Sequence, residues 1–323
     1  MSGELISQIP VLDLADFNSG IESRKKKFVE DLGAAYQEIG FVAIVNHHLS
    51  DSLSTELYSE IKKFFDLPDE EKQRYEFPAL FGQRGYVGKG KEHAKGRKTG
   101  DLKEFYHIGQ ELSLDDPDFK RFPENIWPDS RPAFKSTAVS VFRQLEQTGA
   151  DMLRALAIFL DLPENYFDSR VKNGNSILRP IHYFPVEDPA SVPADAVRAA
   201  AHGDINLITL LMGASAEGLQ VLTRKNEWIA VTAAPNQLII NVGDMLERLT
   251  NGKLRSTIHR VVNPPPEKLH LPRYSIPFFM HPRSEMSLAA LPNCVDEQHP
   301  KQWDDITAGE FLEQRLQEIG LKK

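Results

Sequence analysis

Two kinds of apolar spacing divide this chain. In its first half apolar positions recur every three or four residues, as Phe28, Leu32, Ala35 and Tyr36 do within Ser23–Glu38, and as Leu53, Leu57, Ile61 and Phe64 do after Asp51. Side chains at that spacing share one helical face, which predicts helices over 23–38 and from Asp51, read as the N-cap, to about Phe65. LPDEEKQRY reads as a polar helical start with acids in its first turn. A longer helix is predicted after Pro132, where Phe134, Ala138, Val141, Leu145, Met152, Leu156 and Phe159 keep the period and mark a core-facing support helix. Between these, Ile9 to Phe17 reads as a short strand followed by a turn, GFVAIVNHHL as a buried strand and DLKEFYHIG as extended chain. The stretch from Phe81 to Gly100 is rich in glycine and in Lys and Arg, and no regular element is predicted there.

After Phe167 the pattern becomes a series of short β-runs separated by turns: NSILRPIHYF, NLITLLM, GLQVLT, EWIAVT, QLIINV, TIHRVV and RYSIPFFM. Such spacing predicts a mainly β class, a sandwich or barrel in preference to a βαβ sheet. TRKNEW supplies a hairpin turn, and NVGDMLERLTNG a strand ending in a brief helix or turn. The tail closes with a helix from about Thr307 to Ile319, where Thr307 and Glu310 form a capping-box pattern.

Composition narrows the class. With 323 residues, 41% hydrophobic and 26% charged, the chain can bury a sizeable core as one unit and is ordinary for a soluble globular protein. No apolar run approaches the roughly 18 residues needed to span a bilayer, and the N-terminus lacks a signal-peptide pattern. A single cysteine, Cys294, cannot form an internal disulfide, which fits a reducing cytoplasm. The net charge of −8 argues against a large nucleic-acid footprint.

The chemistry concentrates in AHGDINLITLL, Ala201 to Leu211, and RSTIHRV, Arg255 to Val261. In an extended strand the side chains at i and i+2 leave the same face, so His202 and Asp204 point together, and Gly203 between them lets the backbone come close. His259, in its own β-rich run, is the candidate third ligand. Two imidazoles and one carboxylate on one face of a metal leave open positions on the other, as in non-haem Fe(II) oxygenases; zinc is the rival metal, without the helical HExxH of many zinc hydrolases. Ten histidines make a chance H-x-D common, so the pair alone carries little weight.

Weight comes from the conjunction of H-x-D, the distant H-R-V and R-x-S beyond it, with IPVLDL, GFVAIVNH, FFDLPDEEK, GYVG, DLKEF, NIWP, LRPIHYFP, GLQVLTRKNEWIAV and NVGD in order along nearly the whole chain. In these pieces the sequence resembles the 2-oxoglutarate and Fe(II)-dependent dioxygenase superfamily, in the branch that looks like isopenicillin N synthase. The resemblance implies a double-stranded β-helix (jelly-roll) core with flanking α-helices, within a single catalytic unit. Its parts would be a mainly helical support region over 1–165, the jelly roll over 166–285, and a tail with its helix over 286–323. It implies that Fe(II) is held by His202, Asp204 and His259, and that Arg273 and Ser275 bind the distal carboxylate of 2-oxoglutarate. On a strand R-x-S does place guanidinium and hydroxyl on one face, and a guanidinium fork matches a carboxylate. O2 is the second co-substrate, and the implied reaction couples decarboxylation of 2-oxoglutarate to oxidation of a small molecule.

A tyrosine that helps hold 2-oxoglutarate in the family falls on Tyr183 in one register and on Phe184, which has no hydroxyl, in the other. Arg179 has either a co-substrate or a structural role. Gln220 and Trp228 read as scaffold, and Asn241 and Asp244 as turn residues able to orient metal-bound histidines. The stretch carrying Arg84, Lys89, Lys91, Lys95, Arg97 and Lys98 suggests a lid favouring an anionic substrate such as a carboxylate. The rivals are an Fe(II) oxidase that does not use 2-oxoglutarate, a non-enzymatic ligand-binding protein on the same fold, and a zinc hydrolase.

Overall fold

The first strand, β1 (Val11–Asp13), ends early because Asp13 accepts a hydrogen bond from the backbone N–H of Ala15 at 2.9 Å and so caps a single helical turn, α1 (Leu14–Phe17). The expected turn is therefore helical. The computed structural model describes residues 8–91, 102–186, 197–213 and 218–318. Next come α2 (Glu22–Glu38), β2 (Phe41–Val45), α3 (Asp51–Phe65) and α4 (Asp69–Gln73). The cap of α3 is Ser50, not Asp51: Ser50 is extended, at φ −76° and ψ 146°, and its hydroxyl accepts from the N–H of Leu53, which leaves Asp51 as the first helical residue.

Strands β3 (Gly85–Val87) and β4 (Glu104–His107) follow. The first corrects the expectation of no regular element between Phe81 and Gly100. Its pairing is long-range, Tyr86 opposite Tyr106, and Gly85 turns at φ +77° where a Cβ would meet the carbonyl of Tyr75 at 2.4 Å. The support helix, α5 (Pro132–Phe159), starts on Pro132 itself, whose missing N–H is one of those a helix start leaves unbonded anyway. Its Phe134, Ala138, Val141, Leu145, Met152 and Leu156 are fully buried, and Phe142 meets Phe278 edge-on at 4.9 Å.

The remaining elements are α6 (Asp168–Val171), β5 (Ile177–Leu178), β6 (Ile181–Tyr183), β7 (Ala199–His202), β8 (Ile208–Met212), β9 (Leu219–Leu222), β10 (Trp228–Ala230), β11 (Leu238–Val242), α7 (Asp244–Leu249), β12 (His259–Val261), β13 (Arg273–Met280) and α8 (Ala308–Glu318). Among the described residues they form two sheets: a large one in the order β1-β2-β11-β8-β13-β6-β4-β3, with β5 also on β13, and a small one in the order β10-β9-β12-β7. The sheets face each other as a double-stranded β-helix with the helices outside. Phe41, Ala43 and Ile239 of the large sheet pack on Leu219 and Val221 of the small one.

The period-2 rule decides what each face of the large sheet does. Along β13, Tyr274, Ile276, Phe278 and Met280 enter the core shared with α2, α3 and α5, whereas Arg273, Ser275, Pro277 and Phe279 line a cavity between the sheets. Strand β8 repeats the division, with Ile208, Leu210 and Met212 outward to the helices and Thr209 and Leu211 inward. No described helix is long and apolar enough to cross a membrane.

Candidate active site

Antiparallel pairing of β12 with β7 sets His259 directly opposite His202, the register shifts between His259 and Val261, and both imidazoles line the cavity. Their ring centroids are 4.5 Å apart. Nε2 of His259 and of His202 lie 3.7 and 3.9 Å from Oδ1 of Asp204, and one ligand atom from each residue falls within 4.8 Å of the others. The rest of each side chain is committed elsewhere. Nδ1–H of His202 donates to the carbonyl of Ala200 at 2.7 Å, and that of His259 to the carbonyl of Thr257 at 3.1 Å, which leaves both Nε2 lone pairs facing inward. Oδ2 of Asp204 accepts from the Thr209 hydroxyl at 2.6 Å and the Asn241 amide at 2.8 Å, so Oδ1 is the oxygen turned to the histidines.

The electrostatics favour a cation. Burial opposes the Asp204 carboxylate, but His259 and His202 together with the Asn241 and Thr209 hydrogen bonds outweigh it and hold its pKa below the ordinary value. Burial, with His259 alongside, pushes His202 down to about 4. Although 42% of the His202 side chain is open, it opens into the walled cavity, so its ring is neutral and able to ligate near neutral pH. A carboxylate and two imidazoles, each oriented by a neighbour, fit a divalent transition metal with an open face.

Gly203, between His202 and Asp204, has no room for a side chain. A Cβ on Gly203 would meet Oδ1 of Asp244 at 2.9 Å and Oγ of Ser256 at 3.2 Å, and Ser256 in turn donates to that Oδ1 at 2.7 Å. Burial raises the Asp244 pKa, with Ser256 and Arg315 opposing. Asp244 thus braces the backbone between the two residues of H-x-D and does not itself join the cluster.

The cavity measures about 420 Å³. Arg273, only 1% exposed, lines it beside Ser275, with its guanidinium 4.9 Å over the ring of Tyr183, its partner across β6 and β13. Tyr183 is the inward residue of HYFP; Phe184 lies under the ammonium of Lys89 and does not line the cavity. Gln220 and Trp228 belong to the hairpin packing, since both hold Arg260, by a 2.9 Å hydrogen bond and by a ring 3.9 Å away. Arg84 is buried, Lys89 pairs with Asp69 and Lys91 with Glu76, and none of the three lines the cavity. Lys95, Arg97 and Lys98 lie outside the described residues. The sequence reading missed the inward-facing Lys103, His107, Thr209 and His281, and the contribution of α8, whose Leu312, Arg315 and Leu316 close one side. Only the alternation of RYSIPFFMH could have flagged His281.

Two family models match the chain, one for the N-terminal region of non-haem dioxygenases in morphine synthesis over residues 9–130, the other for the 2OG-Fe(II) oxygenase superfamily over 174–282. The 2-oxoglutarate-dependent dioxygenase imqE of Aspergillus flavus is 31% identical, with 96% of this chain and 94% of the relative covered. The chain belongs to the 2-oxoglutarate and Fe(II)-dependent oxygenase superfamily. This oxygenase matches the crystal structure of a Caulobacter crescentus 2OG-Fe(II) oxygenase family protein at TM-score 0.86 and 41% identity, covering 97% of this chain and 99% of that one. It matches a full-length Neurospora crassa protein, crystallised in complex with alpha-KG and thymine, at TM-score 0.85 and 32% identity, covering 98% of each chain. Fe(II), 2-oxoglutarate and O2 are accordingly the cofactor and co-substrates of this enzyme, a 2-oxoglutarate-dependent dioxygenase.

Proposed function

We propose that His202, Asp204 and His259 are the iron ligands, that Arg273, Ser275 and Tyr183 hold the distal carboxylate of 2-oxoglutarate, and that the enzyme oxidises a compact anionic small molecule, such as a carboxylate. The observation that carries the reading is a single cavity with a two-histidine, one-carboxylate cluster on the small-sheet side and a buried guanidinium on β13. The planar fork of the Arg273 guanidinium, on the cavity lining beside Ser275, fits a carboxylate. The cationic Lys103 and Arg179 on the same lining support an anionic substrate.

Iron, with 2-oxoglutarate and O2, supplies the oxidising chemistry, in which 2-oxoglutarate is decarboxylated to succinate. The chain's residues do the positioning. Ala200 and Thr257 fix the tautomers of the two histidines, Thr209 and Asn241 leave one oxygen of Asp204 for the metal, and Arg273 sets the co-substrate's direction. Leu312 and Leu316 of α8 and the apolar Ile181, Leu211 and Val261 exclude water from the reacting centre. A reducing cytoplasm suits the single thiol, Cys294.

Anaerobic addition of Fe(II) and then 2-oxoglutarate to the purified protein is the test. The expected result is a visible charge-transfer band that needs both, and that His202→Ala abolishes together with Fe(II) binding. A band of full strength in His202→Ala overturns the ligand assignment, and succinate release from a screen of small acids identifies the substrate.

A further inference from the structure

The cavity runs along β13, and its end furthest from Arg273 carries a group with no role so far. His281 follows the last residue of β13, eight residues from Arg273 and so roughly 26 Å away at ~3.3 Å per residue. 2-Oxoglutarate, a five-carbon diacid, reaches only about 6 Å at ~1.5 Å per bond. Arg273 and His281 therefore cannot serve the same molecule.

His281 is firmly held. Its backbone N–H donates to Oγ of Ser176 at 3.2 Å, and that hydroxyl donates back to its carbonyl at 3.4 Å. The residue is 8% exposed, its Nδ1 is buried with no hydrogen-bond partner among the described residues, and the ring lines the cavity. A bare buried N–H is rarer and costlier than a bare lone pair, which puts the proton on Nε2. Burial pushes the imidazole down to about 4, so at neutral pH it is an uncharged donor. Phe279, two residues before His281 and on the same inward face of β13, lies 5.0 Å beneath the Arg179 guanidinium, so Arg179 and His281 share this part of the lining, and the Asp204 and Arg179 charges both act on the imidazole.

Arg179 is also held. Its Nε donates to Nε2 of His107, whose Nδ1–H donates to the carbonyl of Gly82 at 2.5 Å, while the guanidinium lies 4.5 Å over Phe105 and 5.0 Å over Phe279. We propose that His281 and Arg179 form the subsite for the substrate's acidic group, with His281 donating Nε2–H to a carboxylate oxygen and Arg179 supplying the charge. This rests on the reading of the substrate as an anion and says which end of the cavity holds its charged group.

Calorimetry on the anaerobic protein loaded with Fe(II) and 2-oxoglutarate tests it, using a panel of small aliphatic and aromatic monocarboxylates and their methyl esters. Acids in the panel are expected to bind about tenfold or more tighter than their esters. His281→Phe and Arg179→Gln should each lose about tenfold or more for the acids, His281→Gln, which keeps a donor, should lose less, and 2-oxoglutarate affinity should move less than about twofold in all three. Acids that bind His281→Phe and Arg179→Gln as tightly as the parent overturn the subsite and leave the anionic reading standing. A parent that binds esters as tightly as acids, or neither, overturns the anionic reading and the subsite with it. Loss of 2-oxoglutarate binding in His281→Gln overturns the separation of the two sites.

Discussion

Asn241 decides which oxygen of Asp204 faces the histidines. Its amide occupies Oδ2 at 2.8 Å, so Oδ1 is left 3.7 Å from Nε2 of His259 and 3.9 Å from that of His202. Partners of this kind commonly govern metal affinity about as strongly as a weak ligand does. Asn241→Leu should therefore reduce affinity for Fe(II), or for Co(II) as a spectroscopic substitute, by about 10- to 100-fold with the fold intact. Unchanged affinity in a competition titration counts against the orienting role.

Gly203 and Asp244 make a second constraint on the same segment. In Gly203→Ala the new methyl would press on Oδ1 of Asp244 at 2.9 Å, and overpacking of this sort costs about 1–3 kcal/mol. Urea denaturation should register the loss, and adding Asp244→Ala should recover part of it by removing the clash. A double variant no better than the single one places the strain elsewhere.

Arg273→Lys keeps the charge and removes the fork. A point cation cannot make two parallel bonds to a carboxylate, so the dissociation constant for 2-oxoglutarate should rise by about 10- to 100-fold. Titration of the charge-transfer band reads this directly. Parental affinity in the variant means that a second group carries the carboxylate.

Behind the cavity wall, Glu104 gathers a buried network. It is fully buried, and its carboxylate pairs with Lys72 at 2.8 Å, with His182 at 2.7 Å and with the Tyr86 hydroxyl at 2.5 Å. Burial raises its pKa, but the hydrogen bonds from His182, Lys72 and Tyr86 outweigh it and keep it below the usual range. Removing one partner of a buried pair strands the other, so Glu104→Ala should lose about 3–5 kcal/mol of stability and Lys72→Met on top should restore part of it. A loss under ~1 kcal/mol in chemical denaturation contradicts this.

The metal-free protein should weaken in mild acid. His281 titrates at about 4 when folded against ~6.5 when unfolded, so between those values the unfolded chain binds the extra proton. Stability from this group is complete above pH ~6.5 and falls as pH drops toward 4; His202, also pushed down to about 4, acts in the same direction. The denaturation midpoint should fall over that window, less steeply in His281→Phe. A parallel profile in the variant would show that its imidazole is not kept neutral.

The sequence alone determined the helices over 22–38, 51–65 and 132–159 to within a residue or two, because a 3.6-residue apolar period is a local property of the chain. It also placed Arg273 and Ser275 on one face of RYSIPFFM, because successive side chains of a strand alternate between its faces. What it could not determine depends on distant neighbours. Strand β3 exists because β4 pairs with it, and the choice of Tyr183 over Phe184 follows from the register of β6 on β13, which only the folded sheet sets. That α8 closes one side of the cavity and that His281 shares its lining with Asp204 and Arg179 were decided by tertiary structure, since contacts between residues far apart in sequence leave no local trace in either segment.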